Sequence, residues 1–267
     1  KDSTVLKHIV DSMYDDVPSV FVDTGLEYPE IKAFVREINE GKYKPNLKSN
    51  VDIIRPEMRF DEVIKTAGYP VISKRIADII YGARTYLSSL ENFKIPTTIE
   101  ELKFWENTPK RVLALLGMLG KDNKPVLHSA SNNDKSIYNC SKYQYLLDAP
   151  FLISQKCCDI MKKRPGHKYQ KESGKTPFLG TMAVESGSRK EAWLRTGCNA
   201  FEGSQPHSTP LAFWTEQDIY EYIVKYNLPI AKVYGDVVKD EKDKWCTTEV
   251  DRTGCMFCMF GAHLEKE

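Results

Sequence analysis

The run Val17-Pro18-Ser19-Val20-Phe21-Val22 constrains this chain most. It is short, apolar and rich in β-branched residues, and it stops abruptly at Asp23-Thr24-Gly25. That is the pattern of a buried parallel strand delivering a loop at its carboxyl end, and in open α/β sheets ligands bind at that end. Upstream, Val5, Leu6, Ile9, Val10 and Met13 recur at helical spacing, so residues 3–14 read as an amphipathic helix with Ser3 as N-cap. Glu30 to Ile38 read as a second helix, with Ile31, Phe34, Val35 and Ile38 on one face, and Val51-Asp52-Ile53-Ile54-Arg55 as a second strand stopped by Pro56. Strand, helix and strand alternate, the signature of an α/β fold with an open, mostly parallel, Rossmann-like sheet flanked by helices.

From about 60 to 117 the pattern turns helical and charged, punctuated by Pro70, Pro96 and Pro109. The expectation is a helical insertion within a single domain spanning 1–267. Tyr143 to Met161 is a long apolar-periodic segment carrying Cys157-Cys158 near its end, and the cationic run Lys162-Lys163-Arg164-Pro165-Gly166-His167-Lys168 reads as its termination. Pro177 to Ala183 reads as a further strand leading into Glu185-Ser186-Gly187-Ser188-Arg189 and a helix through Trp193. Thr215 with Asp218 resembles a capping box that opens a helix whose apolar face is Ile219, Tyr222 and Ile223. Residues from about 245 to 267 form a cysteine-rich C-terminal segment.

Lys and Arg total 38 against 37 for Asp and Glu, a net charge of +1 over 267 residues, so no global field points to nucleic acid or to a membrane surface. No run of eighteen apolar residues and no signal-peptide pattern is present, and a cytoplasmic protein is expected. The seven cysteines are an odd number, which disfavours a disulfide framework and favours metal binding or redox chemistry.

Four of those cysteines, Cys157, Cys158, Cys255 and Cys258, are candidate metal ligands. Adjacent cysteines with a distant C-x-x-C could hold an iron-sulfur cluster or zinc, or could be unrelated buried thiols. Tetrahedral zinc sites prefer two to four residues between ligands, whereas a cubane offers four separate irons within reach of neighbouring cysteines. Cys140, Cys198 and Cys246 read as small buried hydrophobes, any one of which could still be a reactive thiol. Lys1, Asp2 and Ser3 at a helix start suit a phosphate, Arg189 and Arg195 are candidate phosphate contacts, and Lys162 with its neighbours reads as a solvated face or as cations beside a negatively charged cluster. His207 and His263 are lone histidines with no metal role expected.

These residues resemble the phosphoadenosine phosphosulfate (PAPS) reductase family, iron-sulfur branch, within the adenine-nucleotide alpha-hydrolase folds that include the PP-loop ATP pyrophosphatases. Lys1-Asp2-Ser3 resembles the last three residues of the SGGKDS pyrophosphate loop. Val20 to Gly25 followed by Tyr28-Pro29-Glu30 resembles the family's strand ending in D-T-G and followed by P-E, where the loop meets adenosine. Cys157-Cys158 with Lys162, and Cys255-x-x-Cys258, resemble the cluster-binding pattern in which a lysine four residues after the pair lies near cluster and substrate. Pro210-Leu211 with Trp214-Thr215 and Asp218 resembles the P-L-x-x-W-T-x-x-D signature.

The resemblance implies an adenine nucleotide held by Lys1, Asp2, Ser3, Asp23, Thr24, Gly25, Gly180 and Met182, with Lys1, Lys162, Arg189 and Arg195 stabilising developing negative charge. It also implies a [4Fe-4S] cluster on Cys157, Cys158, Cys255 and Cys258. Sulfonucleotide reductases of the family attack with a cysteine in a C-terminal E-C-G-x-H-like motif, where this chain has Gly261-Ala262-His263. The KDS ending is typical of relatives that split ATP. The leading expectation is therefore cleavage of ATP, with Mg2+, to AMP and pyrophosphate, activating an acceptor (a small molecule or a nucleic acid) for sulfur transfer from an unidentified sulfur or electron donor. The alternatives are an adenylyl-sulfate or phosphoadenylyl-sulfate reductase, and a non-catalytic zinc-stapled binding module. A homo-oligomer is also considered.

Overall fold

A computed structural model describes residues 1–90, 94–203, 205–256 and 258–260. They form two compact units, one of Lys1–Glu57 with 161–256, the other of Met58–Ile160 with 258–260. Gly261-Ala262-His263, where a nucleophile was sought, lie outside the described residues.

In the first unit, α1 (Asp2–Met13) leads to β1 (Ser19–Val22), α2 (Pro29–Asn39) and β2 (Val51–Ile54). β1 and β2 pair in parallel, with Ser19 opposite Val51 and Val22 opposite Ile54. This is the expected βαβ unit, with Phe34, Val35 and Ile38 of α2 buried. The pair is less buried than its composition suggests. Val20 is 41% and Ile53 45% exposed; the register pairs Val20 with Asp52 and Phe21 with Ile53, so the two lie on opposite faces, and α2 with α7 (Arg164–Ser173) covers neither face of the two-stranded ribbon completely. The unit continues through α8 (Gly187–Thr196), β3 (Asn199–Ala200), β4 (His207–Ser208), α9 (Glu216–Lys225), β5 (Val237–Lys239) and β6 (Trp245–Thr247). β3–β4 and β5–β6 are short antiparallel ribbons. The whole is a mixed helix-and-strand architecture compatible with an α/β fold. Among the described residues no helix is long and apolar enough to cross a membrane.

α1 differs instructively from its periodicity. Val5 and Leu6 enter a core with Met182, Leu211, Ile219, Ile223 and Leu228, but Met13 is exposed while Lys7 and Asp11 are buried. Lys7 Nζ lies 2.9 Å from Asp11 Oδ2 and donates to Asn50 Oδ1 at 2.5 Å and Ser19 Oγ at 3.3 Å. Asp11 in turn accepts the Lys48 backbone N–H at 2.9 Å. The pair survives burial because nearly every charge it brings is met by a partner, and those partners lie at the entries of β1 and β2. Ser3 does not cap α1. Lys1 occupies the cap position without a side-chain hydrogen bond, and Ser3 lies exposed within the first turn.

Two further expectations are corrected. The cationic run does not end a helix: Cys157 and Cys158 are helical, Asp159–Lys163 form a π-helical turn, and α7 begins at Arg164 with Pro165 in its first turn. Proline is tolerated there because the π-helical turn directly before it has already interrupted the regular i→i−4 ladder; the helix ends instead at Gly174, φ +66°. No strand forms over 177–183, where only Phe178 bridges to Ser208 before a 3-10 turn at Ala183–Glu185. Pro177 cannot donate, and its carbonyl and the Leu179 N–H supply the two bonds to Ser208. The capping box at Thr215 and Asp218 is present, with Thr215 N–H to Asp218 Oδ2 at 2.7 Å and Asp218 N–H to Thr215 Oγ1 at 3.3 Å.

The second unit is helical: α3 (Phe60–Ala67), α4 (Lys74–Leu87), α5 (Ile99–Leu102), α6 (Lys110–Leu116) and a 3-10 helix at Ser141–Asp148, which replaces the first part of the long helix expected from Tyr143. α4 and α6 bury Ile76, Ile79, Ile80 and the continuous run Val112–Leu116.

Replacing Lys7 by Met strands the buried Asp11 carboxylate. Urea unfolding is expected to show a loss of about 3 kcal/mol for Lys7→Met, and a smaller loss for the double variant with Asp11→Leu.

Candidate functional site

In the first unit the site starts at the N-terminus of α1, whose unsatisfied N–H groups favour an anion. Gly180 lies against it: a Cβ there would stand 3.6 Å from Asp2 C, Ser3 Cα and Leu6 Cδ2, so backbone meets backbone with no intervening side chain. Next to it, Glu185 is a half-buried carboxylate that accepts the Met182 N–H at 2.9 Å, pairs with Arg189 through one oxygen and with Arg252 at 3.1 Å through the other. Burial and the neighbouring Arg252 draw the Arg189 pKa down, opposed by Asp2. Lys1 turns onto α9, donating to Tyr220 Oη at 2.5 Å and Glu216 Oε1 at 3.0 Å with its ammonium 4.4 Å from the Tyr220 ring centroid. Burial opposes its charge, but the contacts to Tyr220 and Glu216 outweigh it and raise the pKa. Lys1 is thus a held, fully protonated cation.

The loop after β1 is prebuilt. Asp23 pairs with Lys32 at 3.3 Å and Arg55 at 3.4 Å and accepts the Gly25 N–H at 3.1 Å. Burial works against its charge, but these partners prevail and hold the carboxyl below its usual range. Thr24 is buried, with its N–H and hydroxyl both given to Glu27, at 3.0 and 2.7 Å. Gly25 has φ +84° and open space where a Cβ would stand, so it alone in the loop offers bare backbone to a ligand. Lys162 Nζ stands 4.0 Å from Glu27 Oε1, and the Met256 N–H donates to Leu26 O at 2.9 Å, which brings the segment bearing Cys255 onto the same loop.

In the second unit, α4 holds the approach to the cysteine pair. Arg84 donates to the carbonyls of Leu147 at 2.8 Å, Phe151 at 2.6 Å and Ala149. Asp78 accepts from Gln155 at 2.7 Å, and Lys156 donates to Tyr81 Oη at 2.5 Å. The Cys157 thiol is pushed far up, first by its hydrogen bond to Cys158, then by burial and by the proximity of Cys158 and Cys258. Cys158 and Cys258 therefore both lie within electrostatic range of Cys157. Among the described residues no group of three or more His, Cys, Asp or Glu side chains is placed to hold a metal ion. Thiols alone are still the donor chemistry that a sulfur-ligated metal takes, because the charge that penalises an isolated thiolate becomes favourable beside a cation.

Not every expected residue joins these groups. Arg195 is exposed in the last turn of α8, about 9 Å along the axis and roughly 120° around it from Arg189. Met182 is buried in the core and has given its N–H to Glu185. Among the other thiols, Cys140 is buried and its pKa is raised by that burial, while Cys198 and Cys246 are half-buried. His207 Nδ1 lies 2.9 Å from Gln205 O. The residues that sequence reasoning missed are chiefly carboxylates. Glu27 is readable as the far end of a T-x-x-E pattern with Thr24, and Glu185 as the i,i+4 partner of Arg189. Arg252 carries no local signal.

Residues 1–78 and 119–259 match the phosphoadenosine phosphosulfate reductase domain, and the chain belongs to that family. Its members are enzymes of nucleotide-related sulfur metabolism. The unmatched stretch, 79–118, runs from within α4 through α6. No curated protein matches the chain significantly.

Because Asp23 is held ionised in the fold, its contribution to stability is present above the unfolded carboxyl pKa and fades as pH falls through its lower folded value. Asp23→Asn is expected to cost about 1–2 kcal/mol at pH 7, with the difference from wild type shrinking below about pH 4 in pH-resolved urea titrations.

Proposed function

We propose that this chain is an ATP-cleaving sulfurtransferase of the PP-loop type, built on an adenine-nucleotide alpha-hydrolase-like, Rossmann-like sheet and carrying a [4Fe-4S] cluster. The observation that carries the reading is the close packing of Gly180 on Asp2 and Ser3 at the start of α1, beside Arg189 and the protonated Lys1. Phosphate oxygens accept backbone N–H groups there, and the adenosine lies along the exposed backbone of Gly25.

An acceptor oxygen attacks the α-phosphorus. The bond from that phosphorus to the bridging oxygen breaks, and pyrophosphate departs with the bonding pair, leaving an adenylylated acceptor from which a sulfur nucleophile then displaces AMP. Lys1, Arg189 and Lys162 offset the negative charge that develops in the transition state, and fixed cations in a partly desolvated site are the largest catalytic contribution expected. Arg195, exposed and remote from Arg189 on α8, takes no part in this step. Glu27 holds Thr24 and stands by Lys162, so the loop and the cation keep one geometry. Cys157, Cys158 and Cys258, with Cys255, would hold the cluster, which supplies electrons or a binding point for sulfur when present.

A sulfonucleotide reductase is the second reading, supported by the match to the reductase domain itself. It needs a thiol beyond the cluster ligands, from Cys140, Cys198 or Cys246.

Anaerobically reconstituted protein is expected to contain iron and sulfide and to absorb broadly near about 400 nm, with the band lost in Cys157→Ser. Incubated with ATP and Mg2+, it should release AMP and pyrophosphate, with Lys162→Ala slowed about 10²-fold. Sulfite release from adenylyl sulfate with no pyrophosphate from ATP selects the reductase instead, and a colourless zinc protein inert to both nucleotides overturns both.

A further inference from the structure

Residues 252–256 are fastened at three points, each on an element of the candidate nucleotide site. Arg252 donates to Glu185 at 3.1 Å, the carboxylate that also holds Arg189. Thr253 Oγ1 lies 2.8 Å from the hydroxyl of Tyr234, whose ring centroid is 5.7 Å from the Lys1 ammonium. The Met256 N–H donates to Leu26 O at 2.9 Å, directly after Asp23-Thr24-Gly25. Cys255 sits between the second and third of these fastenings. Five residues span at most about 18 Å, so each fastening lies within a few residues of the Cys255 sulfur along the chain.

We propose that Arg252 is a positioning residue that makes the placement of Cys255 depend on whether the nucleotide site is filled. The inference rests on the reading of a nucleotide at the start of α1. Glu185 is shared by two guanidiniums, both partly exposed. A polyphosphate arriving beside Arg189 competes with Glu185 for it, since phosphate offers guanidinium the same two-oxygen acceptor geometry as a carboxylate. Released from Arg189, Glu185 keeps the Met182 N–H and has Arg252 as its one remaining guanidinium, so the pair can close up and the segment leading to Cys255 shifts with Arg252. The ligand moves the cysteine only to the extent that it binds the two arrangements differently, and exchange of a carboxylate for a polyanion provides that difference. The bond that changes is an ion pair, so no covalent step is involved.

The test reads the thiol and not turnover. Metal-free, reduced full-length protein is pulsed with iodoacetamide, with and without saturating ATP, and modification of Cys255 is followed by peptide mass spectrometry; Cys246, on β6, serves as the reference in the same digest. ATP is expected to change the Cys255 rate relative to Cys246 by about fivefold or more, and adenosine is expected to leave it unchanged. In Arg252→Lys, which keeps the charge but loses the fork, and in Arg252→Met, which loses both, the ATP response should fall below about twofold while ATP binding, measured by equilibrium dialysis, persists. An equal response in both variants, a response to adenosine as large as to ATP, or bound ATP with no response in the wild type each overturns the coupling and leaves the nucleotide reading standing. Absence of ATP binding to the wild type overturns both.

Discussion

The buried ion pair of Lys7 and Asp11 is the interaction on which the first unit depends. Two charges removed from water are tolerable when partners meet most of their hydrogen-bonding capacity, and here Asn50 and Ser19 accept from Lys7 and the Lys48 N–H donates to Asp11 Oδ2, while Asp11 Oδ1 stays buried without a partner. The three partners lie where the chain enters β1 or β2. The helix that begins with Lys1-Asp2-Ser3 is therefore locked in register to the strand pair whose first member ends at Asp23-Thr24-Gly25. A helix held by apolar contacts alone could rotate or slide by a fraction of a turn at small cost. One held by a buried charge cannot, and that rigidity gives the two halves of the candidate site a constant spacing.

Carboxylates do the organising elsewhere in the unit as well. Glu27 gathers both donors of Thr24 and stands beside Lys162; Glu185 gathers two arginines and a backbone N–H; Glu216 holds Lys1. In each case a cation with a proposed role in chemistry is positioned by an acidic residue with none. The reason is geometric. Long cationic side chains have many rotamers, and a partly buried carboxylate restricts them at less entropic cost than packing could, because a single charge-assisted hydrogen bond sets the position of the head group.

Much of this was legible before any coordinates. The alternation of Val17–Val22, Glu30–Ile38 and Val51–Ile54 identified the βαβ unit, and Thr215 with Asp218 marked the start of α9, because periodicity and capping are properties of neighbouring residues. The failures follow from the same locality. Pro165-Gly166 resembles a helix stop, but a π-helical turn at Asp159–Lys163 lets the chain carry on as a helix past the proline, and no local pattern announces that turn. Met13 shares the apolar spacing of α1 but is exposed, whereas Lys7 and Asp11 are buried, because residue type predicts burial only on average and an ion pair reverses it.

The sequence by itself determined the βαβ unit of Val17 to Ile54 and the start of α9, that Cys157 and Cys158 are adjacent, and which cations and thiols are available to the chemistry; each is settled by covalent connection or by contacts within a few residues. Only the tertiary structure decided which carboxylate each cation answers to. Arg252 and Glu185 are 67 positions apart, and Lys1 and Tyr220 are 219 apart. An ion pair depends on distance through space, and distance along the chain carries no record of it once the backbone has folded back on itself.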